Sequence, residues 1–91
     1  MNEKQITVFG SEHCKDCVVL KGKLEEAGIR YTDASITDNL ANMKVFLDYR
    51  DSLAMFDEVK ARGQIGIPFV VVNRGEEFFF EDVDLGQLKP F

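Results

Sequence analysis

The sequence predicts an α/β domain with a central mixed four-stranded sheet flanked by helices. Three observations support this prediction. Short β-branched and aromatic runs alternate with helical apolar stripes in the first half of the chain, two β-prone runs separated by a turn follow later, and a Cys-X-X-Cys segment stands between the first strand and the first helix. The predicted element order is β-α-β-α-α-β-β-α. Because strands that alternate with helices pair through right-handed crossovers, we expect the first two strands to be parallel.

The first strand and the first helix flank the two cysteines. Residues 4–9 are short, β-branched and aromatic, and they end at a glycine, which predicts a strand. The following helix is predicted from about Cys14 to Ala27, with Gly28 as a left-handed stop. Its apolar stripe consists of Cys17, Leu20, Leu24 and Ala27.

The middle of the chain is predicted to contain a second strand, followed by one long helix or two shorter helices. The strand runs from Ile29 to Ile36, and the capping residues 37–39 then precede an apolar stripe at helical spacing. A second capping signal at Asp51 or Ser52 precedes another stripe, which Gly63 closes. The stripes, both expected to be core faces, are Leu40, Met43, Phe46 and Leu47, and Leu53, Phe56 and Val59. This segment is either one long helix or, as the capping signal favours, two helices with a bend near Asp51.

The third and fourth strands are predicted to form a hairpin. Residues 65–72 are the most β-prone stretch, residues 73–75 form a turn, and residues 76–80 return as an antiparallel partner. Pro68 has no N–H to donate to a ladder, so it belongs at the start of its strand. The three phenylalanines 78–80 are expected to divide between the two faces of the last strand, as part of the core.

A short terminal helix is predicted after the hairpin. It is capped by Asp82 or Asp84, continues through Leu88 and is ended by Pro90. No linker, repeat or low-complexity segment interrupts the sequence, so residues 1–91 are predicted to form a single domain.

Composition restricts the classes of function. The chain has 91 residues and a net charge of −5, and its 45% hydrophobic and 30% charged residues are ordinary for a globular protein. No basic cluster exceeds two residues, so we expect neither a nucleic-acid partner nor a membrane partner. No apolar run resembles a secretory signal or a membrane span, so we expect a cytoplasmic protein. We also expect a monomer.

The cysteine pair is the strongest functional signal. At the start of a helix, Cys14 would lie where unpaired N–H groups and the positive end of the helix dipole stabilise a thiolate. The thiolate is the attacking species in disulfide exchange, and Cys17, one turn further on, could attack a mixed disulfide formed at Cys14. In the cytoplasm such a segment is more often catalytic or metal-binding than a structural disulfide. The residues therefore predict a dithiol–disulfide redox site.

Charged neighbours are expected to tune the pKa of Cys14. Lys15 and a protonated His13 favour the thiolate, whereas Glu12 and Asp16 oppose it by repulsion. Single charges at exposed sites contribute under about 1 kcal/mol, so the predicted activation is modest. His13 is equally well explained as a solvated loop residue.

The position of the cysteines, a proline that opens a later strand, and the element order together resemble the thioredoxin superfamily. Length and detail are closest to a glutaredoxin-like protein, and the resemblance covers essentially the whole chain. Its most specific segments are residues 9–17, FGSEHCKDC, and residues 66–71, GIPFVV. The resemblance implies a thioredoxin fold in which a cis Ile67–Pro68 bond faces the cysteines and the main chain of Ile67 binds the thiol substrate.

The chain also departs from glutaredoxins. They usually carry a lysine at the position of Ser11, Pro-Tyr between the cysteines, and Gly-Gly at the position of residues 80–81. One acidic position is retained, Asp84, which by the resemblance contacts a glutathione ammonium. Glutathione and a reductase are therefore alternative candidates for the electron donor.

The resemblance implies a glutaredoxin-like thiol–disulfide oxidoreductase that reduces protein or glutathione mixed disulfides. It implies no tightly bound cofactor, with glutathione as a candidate reductant. The alternative is a non-enzymatic metal-binding, iron–sulfur-binding or redox-sensing module that uses the same cysteines. His13, Cys14 and Cys17 supply three zinc ligands, whereas a closed structural zinc site needs four.

Overall fold

A four-stranded mixed sheet lies at the centre of the computed structural model, which describes residues 4–88. The strands are β1 (Ile6–Gly10), β2 (Thr32–Ser35), β3 (Phe69–Val72) and β4 (Glu77–Phe79). Their order in the sheet is β2-β1-β3-β4. β1 is parallel to β2 and antiparallel to β3, and β3 is antiparallel to β4. The predicted α/β class, the mixed sheet and the parallel first pair are confirmed.

Within the part of the chain that the structure describes, three α-helices flank the sheet, namely α1 (Lys15–Glu26), α2 (Leu40–Ser52) and α3 (Asp57–Ala61). A short 3-10 helix, Ala54–Phe56, leads directly into α3. Among residues 4–88, no helix has the length and apolar character needed to cross a bilayer.

The two faces of the sheet carry separate cores. Ile6 and Val8 point from β1 toward α1, whereas Phe9 points to the opposite face. The second core is aromatic and brings the buried Phe46 and Phe56, from α2 and the 3-10 turn, onto the sheet. The phenylalanines of the hairpin divide as predicted, with Phe79 on the α1 face and its two neighbours on the aromatic face.

Both ends of α1 follow local signals in the sequence. Cys14 is the N-cap residue and Ala27 the C-cap residue, within a residue of the predicted bounds. Gly28 has a φ of +72°, and the N–H groups of Gly28 and Ile29 donate to the carbonyls of Glu25 and Leu24. This is the Schellman arrangement, which satisfies the last free carbonyls of a helix.

The middle segment forms two α-helices, as the capping signal favoured; the first predicted cap, within residues 37–39, is confirmed, but the second, at Asp51 or Ser52, is wrong. Asn39 caps α2 by accepting the Asn42 N–H at 2.9 Å. Ser52, however, lies inside α2 and donates its hydroxyl to the Asp48 carbonyl at 2.8 Å. The chain breaks instead at Leu53, which is extended and packs against the aromatic core.

The predicted apolar stripe of α2 is partly wrong. Leu40 is 77% exposed and Leu47 is 39% exposed, whereas Phe46 is fully buried. Each helical residue rotates by roughly 100°, so Leu40 and Leu47 project about 100–120° away from the direction of Phe46. Tyr49, which the predicted stripe omits, packs against the aromatic core instead.

The remaining differences concern element length and type. β2 begins at Thr32 and not at Ile29, because the Ile29 N–H is used to close α1. β3 begins at Phe69, after a loop that contains Pro68. The predicted terminal helix is a 3-10 turn, Leu85–Gln87, which Asp84 caps by accepting the Gly86 N–H. Its predicted end at Pro90 lies outside the described residues.

Candidate active site

Cys14 is placed at the N-terminus of α1 as the sequence predicted. Its backbone is extended, with φ −105° and ψ 114°, and its sulfur accepts the N–H of Cys17 at an Sγ–N distance of 3.3 Å. The side chain is partly exposed. A sulfur in this position is in contact with an unpaired helical N–H group and is accessible to a reactant.

Cys17 differs sharply from Cys14 in its surroundings. It is fully buried, and its thiol is adjacent to that of Cys14. Burial is the largest of the effects that together raise the pKa of the Cys17 thiol to about 12. The hydrogen bond with Cys14 acts in the same direction, while a backbone hydrogen bond from Ser11 and the charge of Lys21 act in the opposite direction. Cys17 is therefore held as a neutral thiol next to a more accessible partner.

Gly10, at the end of β1, makes room for Cys17. A β-carbon built at Gly10 would lie 2.9 Å from Cys17 Sγ, closer than real contacts allow. The sequence indicated Gly10 only as the end of a strand. Its position four residues before the first cysteine was the available signal for this role.

The loop that precedes β3 faces the cysteines. The Ile67–Pro68 bond is cis, as the resemblance implied. The Ile67 carbonyl oxygen is 4.0 Å from Cys14 Sγ, and Pro68 is buried. Ile67 lies outside the ladder of β3, which begins at Phe69. Its main chain makes no backbone–backbone hydrogen bond to another residue of the described range 4–88.

An apolar cleft of about 480 Å³ opens on one side of Cys14. Its apolar walls are Ile36, Met43, Phe46, Leu47, Ile65 and Ile67. Two exposed apolar side chains, Leu47 of α2 and Ile65, therefore both line the cleft beside the Cys14 sulfur.

Arg50 also lines the apolar cleft and donates from Nε and Nη2 to the carbonyls of Ile65 and Gln64, at 2.8 and 2.7 Å. Arg50, which sequence reasoning missed, therefore ties α2 to the loop before Pro68.

A second cleft of about 610 Å³, which is more polar than the first and is named the polar cleft, is also lined by Cys14 and by Pro68. It contains three carboxylates, from Asp16, Glu81 and Asp82. Burial, and then the charge of Asp16 and a hydrogen bond to it, raise the pKa of Glu81. This cleft therefore favours cationic or neutral groups over anions.

His13 and Ser11 lie in the loop between β1 and Cys14. His13 lines the apolar cleft, and its backbone N–H donates to Ser11 Oγ at 3.1 Å. Ser11 is 3% exposed, and its hydroxyl is 2.9 Å from Thr37 Oγ1, so it fixes the loop before the cysteines.

Lys15 and Asp84 are not brought into either cleft. Lys15 is exposed at the first residue of α1, and the carboxylate of Asp84 accepts the Gly86 N–H at 3.0 Å. Within residues 4–88, neither lines the two clefts at Cys14, and the roles assigned to them stay predictions. No three His, Cys, Asp or Glu side chains of that same range are grouped to hold a metal ion.

These observations define an α/β protein with paired thiols at a helix N-terminus, facing a proline loop. No protein-family model matches the sequence. The chain is 35% identical over 82 residues to an uncharacterized protein of Haemophilus influenzae (strain ATCC 51907 / DSM 11121 / KW20 / Rd), and the match covers 90% of this chain and 91% of that protein. The chain belongs to the same family as that protein.

Proposed function

We propose that this chain is a glutaredoxin-like thiol–disulfide oxidoreductase of the thioredoxin superfamily, acting on protein or glutathione mixed disulfides. The observation that carries the proposal is the asymmetry of the two thiols. Cys14 is partly exposed and accepts a helical N–H, while Cys17 is buried directly behind it. A dithiol reductant needs one accessible nucleophile and one protected thiol that acts second.

The thioredoxin fold is part of this proposal. Its support is the sheet order β2-β1-β3-β4, with β1 parallel to β2 and α1 following directly from β1. The proline loop leading into β3 lies against the first cysteine, where the superfamily would have it. The resemblance seen in residues 9–17 and 66–71 concerns these same two segments.

In the proposed reaction, the thiolate of Cys14 attacks one sulfur of a substrate disulfide. The substrate S–S bond breaks, its first thiolate leaves and takes a proton from water, and a mixed disulfide joins Cys14 to the remainder. Cys17 then loses its proton and attacks Cys14 Sγ, which releases the second thiolate. The substrate gains two electrons as two thiols, and the Cys14–Cys17 pair becomes a disulfide.

The surroundings of Cys14 support an extended polypeptide as a substrate. The main chain of Ile67 lies next to the sulfur, with its carbonyl oxygen 4.0 Å from Cys14 Sγ, and it makes no backbone–backbone hydrogen bond within residues 4–88. Clefts of contrasting polarity open beside it. The three carboxylates of the polar cleft disfavour an anionic thiol such as glutathione. Re-reduction of the disulfide by a reductase is therefore favoured over re-reduction by glutathione.

The test is NADPH-linked turnover of insulin disulfides with two alternative donors. One donor is thioredoxin reductase, and the other is glutathione with glutathione reductase. We expect turnover that is abolished by Cys14→Ser, with the reductase as the faster donor. The metal content of freshly purified, reduced protein is measured in parallel. Stoichiometric metal without turnover from either donor contradicts the proposal and supports a metal-binding module.

A further inference from the structure

Lys21 lies one helical turn beyond Cys17, on the same face of α1. Residues four apart on a helix have neighbouring side chains, with β-carbons roughly 6 Å apart. The Lys21 side chain is only 16% exposed, which is unusual for a lysine on a surface helix. The side chain is therefore partly shielded from water, and its charge acts to lower the pKa of the Cys17 thiol, against the larger effect of burial.

Asp33 of β2 holds the Lys21 ammonium in place. The two charged groups are 3.0 Å apart, from Nζ to Oδ2. Asp33 is in register with Val8, a member of the core beneath α1, while the neighbouring Ala34 belongs to the aromatic core on the other face. The strand alternation thus directs the Asp33 carboxylate toward α1.

The groups around Cys17 leave few other sources of positive charge. The charged or titratable neighbours of Cys17 in α1 and its N-cap are Lys21 and Cys14. Gly10 of β1 packs against the Cys17 side chain, and the Ser11 backbone donates a hydrogen bond to its sulfur. The carboxyl groups of Asp16 and Glu81 contact each other beside the polar cleft. His13 lines the apolar cleft.

We propose that Lys21 is a positioning residue whose ammonium stabilises the Cys17 thiolate while Cys17 displaces the reduced product from Cys14. The inference rests on the proposed function. In this step Cys17 releases its proton to water, its sulfur forms a bond to Cys14 Sγ, and the bond from Cys14 to the substrate sulfur breaks. Lys21 keeps its own proton throughout and supplies only charge. A cation close to a buried thiolate offsets part of the cost of ionising it.

The test separates the two chemical steps with 5,5′-dithiobis(2-nitrobenzoate), an aromatic disulfide that releases a coloured thiolate. Attack by Cys14 releases a first equivalent, and displacement by Cys17 releases a second. Both phases are followed by stopped flow as a function of pH. The variants are Lys21→Gln, Lys21→Arg, which keeps the charge, and Lys23→Gln, a control that removes an exposed charge from the same helix. Lys21→Met replaces Lys21→Gln if circular dichroism finds that variant unfolded.

We expect Lys21→Gln to slow the second phase about three- to tenfold at neutral pH and to move its pH midpoint upward. The first phase should stay within about twofold of the parent rate, because the effect of a single charge at the partly exposed Cys14 is small. Lys21→Arg should restore the second phase, and Lys23→Gln should leave it unchanged. An unchanged second phase in Lys21→Gln overturns the inference, as does equal slowing by Lys23→Gln or no recovery in Lys21→Arg. Absence of both phases in the parent protein instead refutes the proposed function.

Discussion

Cys17 Sγ rests against the backbone of Gly10, where a β-carbon would come within 2.9 Å of the sulfur and 3.1 Å of Cys17 Cβ. This contact fixes the second thiol at the carboxyl end of β1. It also fixes the start of α1 against the sheet, and hence the direction in which Cys14 is presented. The strand and the helix are therefore coupled through a side chain that takes part in the proposed chemistry.

We predict that Gly10→Ala destabilises the protein by about 1–3 kcal/mol, because the added methyl group displaces a fully buried side chain. Gly22→Ala is the matched control, since nothing lies within 4 Å of its added β-carbon and the residue is inside α1. That change should stabilise the protein by about 0.5–1 kcal/mol. Urea unfolding of both variants measures the difference, and similar effects of the two substitutions would disprove the packing argument.

The buried Cys17 thiol should make stability depend on alkaline pH. Its pKa is raised by burial from 9.0 to about 12, so the unfolded chain releases this proton at a lower pH than the folded chain. The stabilisation provided by the neutral thiol is complete below the lower value and is lost as pH rises toward the higher one. In Cys14→Ser, the free energy of unfolding should fall from pH 9 upward.

The control for this prediction is Cys14→Ser/Cys17→Ala, which differs from Cys14→Ser only in lacking the Cys17 thiol. Denaturant midpoints are compared between the two variants across alkaline pH. As pH rises above 9, the free energy of unfolding of Cys14→Ser should fall steadily relative to that of Cys14→Ser/Cys17→Ala. Parallel curves would show that Cys17 has an ordinary pKa in the folded state.

Local signals explain why much of the fold was predictable from the sequence. The start of α1 near Cys14 and the left-handed stop at Gly28 depend on residues within one turn of each helix end, and both were predicted. The orientation of α2 was not, because Leu40 and Leu47 have the same spacing as a core stripe and only packing distinguishes them from Phe46. The roles of Arg50 and Lys21 depend on contacts with distant segments, which no local pattern reveals.

Arg50 should stabilise the substrate-facing loop. Arg50→Lys retains the charge but loses the two-pronged donation to the carbonyls of Gln64 and Ile65. We expect a loss of about 1 kcal/mol in stability, and a higher KM for disulfide substrates with little change in the first phase of Cys14 reactivity. Arg62→Lys, which changes an exposed pair with Glu58, is the control and should alter stability by less than about 0.5 kcal/mol. Equal effects of the two substitutions would argue against this role for Arg50.

Glu81 should act against anionic substrates. Its carboxylate lines the polar cleft beside Asp16, so Glu81→Gln removes one negative charge near the sulfur. We expect the KM for oxidised glutathione to fall about two- to fivefold, the range expected for one charge at an exposed site. Glu26→Gln, which removes an exposed charge at the far end of α1, should leave that KM unchanged. If both variants improve equally, net charge and not the cleft is responsible.

The most direct test of the account is to find which sulfur captures a substrate disulfide when the other cysteine has been replaced. Cys17→Ser and Cys14→Ser are each incubated at neutral pH with a disulfide-bonded peptide, and adducts are counted and mapped by mass spectrometry. The account predicts that Cys17→Ser accumulates one peptide on Cys14, while Cys14→Ser accumulates almost none on its buried thiol. Equal capture by the two variants, or capture through Cys17 alone, would contradict the assignment of Cys14 as the nucleophile.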